Sequence, residues 1–368
     1  MLRRFEVENF KGFKKRLVLD FSAGEYDFNT DVVKDNTVNK AIVYGKNGSG
    51  KSCLGIALFD IIHHLTDKNR MKARYLSNYK NLRGINESVK FLYEFIFDGI
   101  KVIYEYEKAD ADTLLNESLS ISDEVVLNYS FLDRKNNYVS PQISGSLNLD
   151  MLNESDISVV RYIYKNSPSN AIPAISMLMD FCDRMLWFRS LSEGNSYAGY
   201  MIGRKSLAKI IYETDSLADF ENFLGEFGLN YNLDFKKSGD DILLVVKFGN
   251  RTVPFDEIAS TGTMSLMLFY TWSKSFDKIS FLFIDEFDAF FHYEAAATIV
   301  KRLNKAKSFQ SVLTSHNTYL MQNKLTRPDC CFIINDNSIK SLNHCTDKEI
   351  REAHNLEKMY INGAFVDE

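Results

Sequence analysis

Residues 45–52 read Gly45-Lys46-Asn47-Gly48-Ser49-Gly50-Lys51-Ser52, directly after the apolar run Ala41-Ile42-Val43-Tyr44. A strand thus runs into the GxxxxGK[ST] pattern, and from Cys53 to Leu65 the apolar residues recur at helical spacing. Each residue type answers a chemical need. Glycines let backbone N–H groups turn inward around a phosphate, where a Cβ would block both the dihedrals and the approach. Lys51 is placed to reach the β- and γ-phosphates, and the Ser52 hydroxyl to complete a Mg²⁺ shell. The dipole of the following helix faces the anion. By chance, a chain of this length matches the pattern on the order of once in a hundred. The stretch predicts a nucleoside-triphosphate site whose cradle is Asn47, Gly48, Ser49, Gly50, Lys51, Ser52 and Cys53, with ATP and Mg²⁺ as the cofactors.

Working outward, 368 residues with 45% hydrophobic content can bury a large core in one large domain or two lobes. A net charge of −5 gives no global basic field for nucleic acid. The local clusters Lys11, Lys14, Lys15, Arg16 and Arg70, Lys72, Arg74 read as solvated surface. Five cysteines, odd in number and without a CxxC pair, suit a reducing cytosol. The spacing of Cys330, Cys331, His344 and Cys345 fits no zinc-ligand pattern. Leu2-Arg3-Arg4-Phe5-Glu6-Val7 reads as a strand rather than a signal segment. No stretch reaches the ~18 uncharged apolar residues of a membrane span. The expectation is a soluble, cytoplasmic protein with no membrane partner.

Two strand-like runs, 3–10 and 16–21, open the chain around the turn Lys11-Gly12-Phe13. The cradle's helix is expected to run unbroken to about His64, followed by a polar segment to Asn86. Alternating residues 89–97 and 100–107 flank Asp98-Gly99 as a hairpin, with further strands at 117–121 and 125–132. Residues 158–164, 174–191 and 217–227 show helical spacing. A hairpin at 233–248 leads back to the core. These signals divide the chain into 1–147 (phosphate loop and antiparallel layer), 148–230 (helical insert) and 231–368 (second half of the core). The fold class predicted is α/β: a mixed parallel sheet, an antiparallel layer and a helical insert.

Three further segments carry chemistry. Ser280-Phe281-Leu282-Phe283-Ile284-Asp285-Glu286 is an apolar strand ending in two carboxylates, which is costly unless a cation offsets them. Asp285 is the expected metal ligand and Glu286 the residue that polarises the attacking water. Gln310 to His316 is an apolar strand with a polar tip, expected beside the acidic strand and parallel to it, so that His316 senses or stabilises the γ-phosphate. Ala259-Ser260-Thr261-Gly262-Thr263 puts small hydroxyls and a glycine at a helix start, a second anion-facing terminus; Ser260, Gly262 and Thr263 are its candidates.

The order of phosphate loop, small-residue loop, hydrophobic-Asp-Glu and strand-end His resembles that of ABC-class ATPases, the group holding SMC, Rad-fifty-type and RecF proteins. Phe5 to Phe13 resembles that group's first strand and turn. By that likeness Ser260 and Gly262 fall at the signature Ser and second Gly, while Thr261 and Thr263 depart from the commoner Gly and Gln/Glu. The Ser-x-Gly-Thr variant and residues 351–365 resemble small prokaryotic ATPases of phage-defence operons, relatives of the overcoming-lysogenization-defect nucleases and the Septu and PARIS ATPases. The likeness spans nearly the whole chain, though 148–230 match in helical character alone. It implies a slow ATPase with sites shared between two copies in a homodimer or larger homo-oligomer. It also implies control of a separate effector, a nuclease or toxin, because no nuclease module follows the ATPase. Any nucleic-acid contact would be indirect. Two points depart from or compete with this picture. No Q-loop glutamine can be assigned, and a DNA-repair or DNA-end-processing ATPase of the SMC or RecF kind is the alternative. A transporter's ATP-binding subunit fits poorly with the long hairpins and large insert.

Overall fold

The structure, a computed structural model, describes residues 1–68, 77–133, 137–144, 147, 157–168, 172–189, 197–199, 206–239, 241–335 and 338–365. The cluster Arg70, Lys72, Arg74, the expected insert boundary at 148 and Leu191 lie outside these residues. In chain order the strands begin with β1 (Leu2–Glu8), β2 (Leu17–Asp20), β3 (Val33–Lys34), β4 (Thr37–Val38), β5 (Lys40–Tyr44), β6 (Val89–Phe97) and β7 (Ile100–Lys108). Next come β8 (Leu114–Ile121), β9 (Glu124–Ser130), β10 (Tyr138–Val139), β11 (Met185–Arg189), β12 (Tyr197–Gly199) and β13 (Leu233–Ser238). The series ends with β14 (Asp241–Phe248), β15 (Arg251–Pro254), β16 (Phe281–Asp285), β17 (Gln310–Ser315), β18 (Cys331–Asn335) and β19 (Ser338–Ser341).

A central 7-stranded sheet has the order β12-β11-β16-β17-β5-β18-β19. The strands from β11 to β18 run parallel, and β12 and β19 close the edges antiparallel. A second 7-stranded sheet, β10-β9-β8-β7-β6-β1-β2, is antiparallel, with the Asp98-Gly99 hairpin joining β6 and β7 as expected. Both residues of that turn have positive φ, which the primed hairpin turns require. A small sheet β13-β14-β15 carries the 233–248 hairpin. The fold is therefore mixed α/β, as the sequence predicts.

Strand β16 is buried along its whole length, because both faces of a parallel sheet are covered. Side-chain alternation sends Phe281 and Phe283 into one core with Val43, Val312 and the antiparallel layer. Leu282 and Ile284 enter the other core with Ile42, Leu313 and the helices 261–273 and 293–305. The Gln310 side chain clamps the two layers together, accepting from Leu2 N at 3.0 Å and donating to Leu2 O at 2.9 Å and Val38 O at 3.0 Å.

Two expectations need correction. The cradle's helix breaks: α1 (Lys51–Leu58) ends at Phe59 and α2 (Asp60–Leu65) follows. The helical run expected over 174–191 is a helix only over Pro173–Asp183; the chain turns at Arg184 and continues as β11, paired in parallel with β16. The apolar run Met185 to Phe188 serves a strand buried on both faces as well as it would serve a helix.

Candidate functional site

Strands β5, β16 and β17 lie side by side and deliver their C-terminal ends to one edge of the sheet, where open α/β sheets bind ligands. The loop after β5 is fixed by close approaches. Gly50 has φ +99°, and a Cβ there would stand 2.7 Å from the Phe13 ring of the opening turn. Gly55 lets α1 press onto β16, since a Cβ would lie 2.4 Å from Phe283 Cε1. That contact brings the first turn of α1 against the acidic strand. The Ser52 hydroxyl consequently donates to Asp285 Oδ2 at 2.7 Å, across 233 positions of sequence.

Lys51 is buried, and its ammonium donates to the carbonyls of Gly45 at 2.7 Å and Lys46 at 3.0 Å. Burial pulls its pKa below the ordinary lysine value, against the opposing pull of Asp285, Glu286 and Asp288. Lys46, Asn47 and Gly48 are exposed, and nothing lies within 4 Å of the place a Gly48 Cβ would take. Ser49 Oγ is buried without a hydrogen-bond partner among the described residues. Helix geometry leaves the N–H groups of Lys51, Ser52 and Cys53 without intrahelical acceptors. The Cys53 side chain itself turns toward Gly12, and burial raises its pKa.

Asp285 is 1% exposed. Its Oδ1 accepts from Thr314 Oγ1 at 2.8 Å, and the same hydroxyl oxygen accepts from Glu286 N at 2.7 Å. Thr314 thus holds the whole acidic tip. Glu286 sits at φ +49°, a left-handed conformation that is strained for this residue and bends its side chain out of the strand line. Ser315 Oγ donates to Asp288 Oδ2 at 2.6 Å, and burial pushes the Asp288 carboxyl above the usual carboxylate range. His316 follows directly, exposed at the tip of β17 and close enough to Asp288 to oppose part of that rise.

The site holds one group the sequence reading missed. Arg189, the last residue of β11, stands in register with Asp285 of the adjoining strand. Its Nη2 donates to Glu286 Oε1 at 2.6 Å, and its Nε lies 3.4 Å from Asp285 Oδ2. A buried apolar run ending in a charged residue was the available signal, hidden by the expectation of helix.

Ser260 caps the helix 261–273: its Oγ accepts from Thr263 N at 3.1 Å and lies 2.9 Å from Thr263 Oγ1. Gly262 backs onto the Phe290 carbonyl, 2.7 Å from where a Cβ would stand. Ser260 and Thr261 are exposed, while Thr263 is buried. No hydrogen bond or ion pair among the described residues joins this loop to residues 46–52. The fold therefore gathers Lys51, Ser52, Asp285, Glu286 and His316 at neighbouring strand ends and leaves the Ser260–Thr263 loop presented outward.

The residues suit a magnesium nucleotide. A hydroxyl and a carboxylate oxygen are the donors Mg²⁺ prefers, and the loop offers an open glycine with a buried, unpartnered serine hydroxyl beside it.

A family model described as "AAA domain, putative AbiEii toxin, Type IV TA system" matches residues 40–322. No curated protein matches the chain. Among solved structures it is similar to the SMC head domain from Thermotoga maritima, with 14% identity, 92% of this chain and 98% of that chain covered, and a TM-score of 0.42. The Smc head domain bound to the C-terminal domain of ScpA, from Pyrococcus furiosus, gives 12%, 93%, 96% and 0.46. The recombination mediator protein RecF with ATP gives 13%, 93%, 99% and 0.37.

Proposed function

The chain belongs to this AAA-domain family, and on that premise we propose that it is an ABC-class ATPase that binds and slowly hydrolyses ATP. In this reading it is the ATPase subunit of an antiphage defence complex, and ATP-dependent self-association controls a separate nuclease or toxin. One observation carries the ATPase reading: the 2.7 Å bond from Ser52 to Asp285, which joins the phosphate loop to the acidic strand. The defence role is supported by the Ser-x-Gly-Thr loop and by the family description's mention of a toxin system.

Mg²⁺, held by Ser52 and Asp285, would neutralise charge on the phosphates. Lys51 exchanges its two carbonyl acceptors for phosphate oxygens. Thr314 keeps Asp285 and Glu286 oriented, and Glu286 takes the proton of the attacking water. His316, exposed at the next strand tip, stabilises the terminal phosphate. The outward Ser260–Thr263 loop completes the site of a second copy, so turnover waits on association. The parts of 148–230 outside β11 are where a partner or invader signal would be read.

Phosphate release and nucleotide binding by purified protein test the reading. Lys51→Ala should abolish ATP binding. Glu286→Gln should keep binding, lower turnover about a hundredfold or more, and accumulate an ATP-bound oligomer. Unchanged turnover in Glu286→Gln removes that residue from its role, and full ATP affinity in Lys51→Ala removes the nucleotide site.

A further inference from the structure

The Asp285–Glu286 tip poses an electrostatic problem in the nucleotide-free chain. Asp285 is 1% exposed, and a buried carboxylate without a cation is costly. Lys51 interacts with both acids from the phosphate loop, and the parallel pairing of β11 with β16, with Arg189 opposite Asp285, supplies a second cation in direct contact with them. Its guanidinium spans both acids, 2.6 Å from Glu286 Oε1 and 3.4 Å from Asp285 Oδ2. That Oδ2 is the oxygen to which Ser52 donates. Arg189 therefore lies against the carboxylate edge that a Ser52–Asp285 metal pair must use. A guanidinium keeps its charge at every pH of interest and fits two carboxylates as a planar fork.

We propose that Arg189 is a resident counter-cation: it occupies the metal's electrostatic place at Asp285–Glu286 in the nucleotide-free chain and yields it when the site loads. This rests on the reading of Ser52 and Asp285 as the metal-holding pair. Arg189 acts through the two carboxylates, so it is a positioning residue whose removal changes what the acids bind. A salt bridge that merely steadied the fold would not compete with Mg²⁺.

The test compares wild type, Arg189→Gln and Arg189→Lys without nucleotide, following thermal unfolding with and without millimolar MgCl₂, with circular dichroism to verify the fold. The wild type should hardly respond. Arg189→Gln should gain about 2 °C or more from Mg²⁺, because the acid pair, relieved of its guanidinium, now binds it. Arg189→Lys keeps a charge but cannot fork across both acids, so its gain should be smaller; it decides the matter if Arg189→Gln does not fold. In a second arm, the ratio of ATP affinity in Mg²⁺ to that in EDTA should rise about tenfold in Arg189→Gln. Identical Mg²⁺ responses in wild type and both variants overturn the inference. The nucleotide-free arm stands apart from ATP chemistry, so failure to bind ATP would strike the proposed function and leave this result readable.

Discussion

Lys40, the first residue of β5, is 4% exposed, and among the described residues the charge that acts on it is a repulsive one, Lys307. Its ammonium donates to the Phe309 carbonyl and sits 4.1 Å from that residue's ring centroid. Burial, reinforced by Lys307, pulls its pKa from 10.5 down to about 7. The sign follows directly. Between these two values the unfolded chain binds a proton that the folded chain has released, so stability rises with pH from about 7 and is lowest below it. The slope from this group approaches about 1.4 kcal/mol per pH unit. Urea unfolding at pH 7 and pH 9 should show the wild type gaining roughly 2 kcal/mol from it, and Lys40→Met lacking that gain while being the more stable protein at pH 6.5. Parallel pH curves for the two would show that Lys40 stays charged in the folded chain.

Among the secondary-structure elements, α2 shows why some features were legible and others were not. Asp60, at its first turn, accepts from Tyr79 Oη at 2.7 Å, Tyr106 Oη at 2.9 Å and Lys108 Nζ at 2.8 Å. Lys108 is fully buried on β7, so this knot pins α2 to the antiparallel layer. Asp60→Asn leaves a buried ammonium uncompensated and should cost about 3–5 kcal/mol in denaturant unfolding. Adding Lys108→Met should recover part of that loss; a double variant no better than the single would refute charge as the cause. The break at Phe59 was invisible in the sequence, because the apolar spacing continues through it while Asp60's partners lie far along the chain. The same cause hid β11. Met185 to Phe188 continues the apolar texture of the preceding helix, and only pairing with β16, 97 residues from Arg189 to Glu286, makes it a strand. By contrast, the phosphate loop, the acidic tip and the Gln310–Ser315 strand were legible because each is a short apolar strand ending in its own chemistry. The strand-end signals were read correctly, and so was the parallel pairing of β17 with β16; the contacts that break the helix at Phe59 and turn Met185–Arg189 into a strand were not.

At the scale of the whole molecule, the question is whether one chain carries a complete site. Lys51, Ser52, Asp285 and Glu286 converge, whereas the Ser260–Thr263 loop bonds within itself and faces outward. If the loop serves a second copy in a two-fold dimer, two defective variants should complement. Lys51→Ala spoils the phosphate side of both sites in its homodimer, and Ser260→Arg spoils the loop side of both. Ser260 is exposed, so the arginine can be accommodated at the loss of one cap, about 1 kcal/mol. In a mixed dimer, the intact phosphate loop of the Ser260→Arg subunit meets the intact loop of the Lys51→Ala subunit, giving one good site. Random pairing of equal amounts makes half the dimers mixed, each with one working site of two, so activity should return to about a quarter of wild type. The recovery should need concentrations at which ATP-bound copies associate, and vanish on dilution. Two inactive variants that stay inactive in every mixture would place the whole reaction within one chain, and Ser260 would then be a helix cap and nothing more.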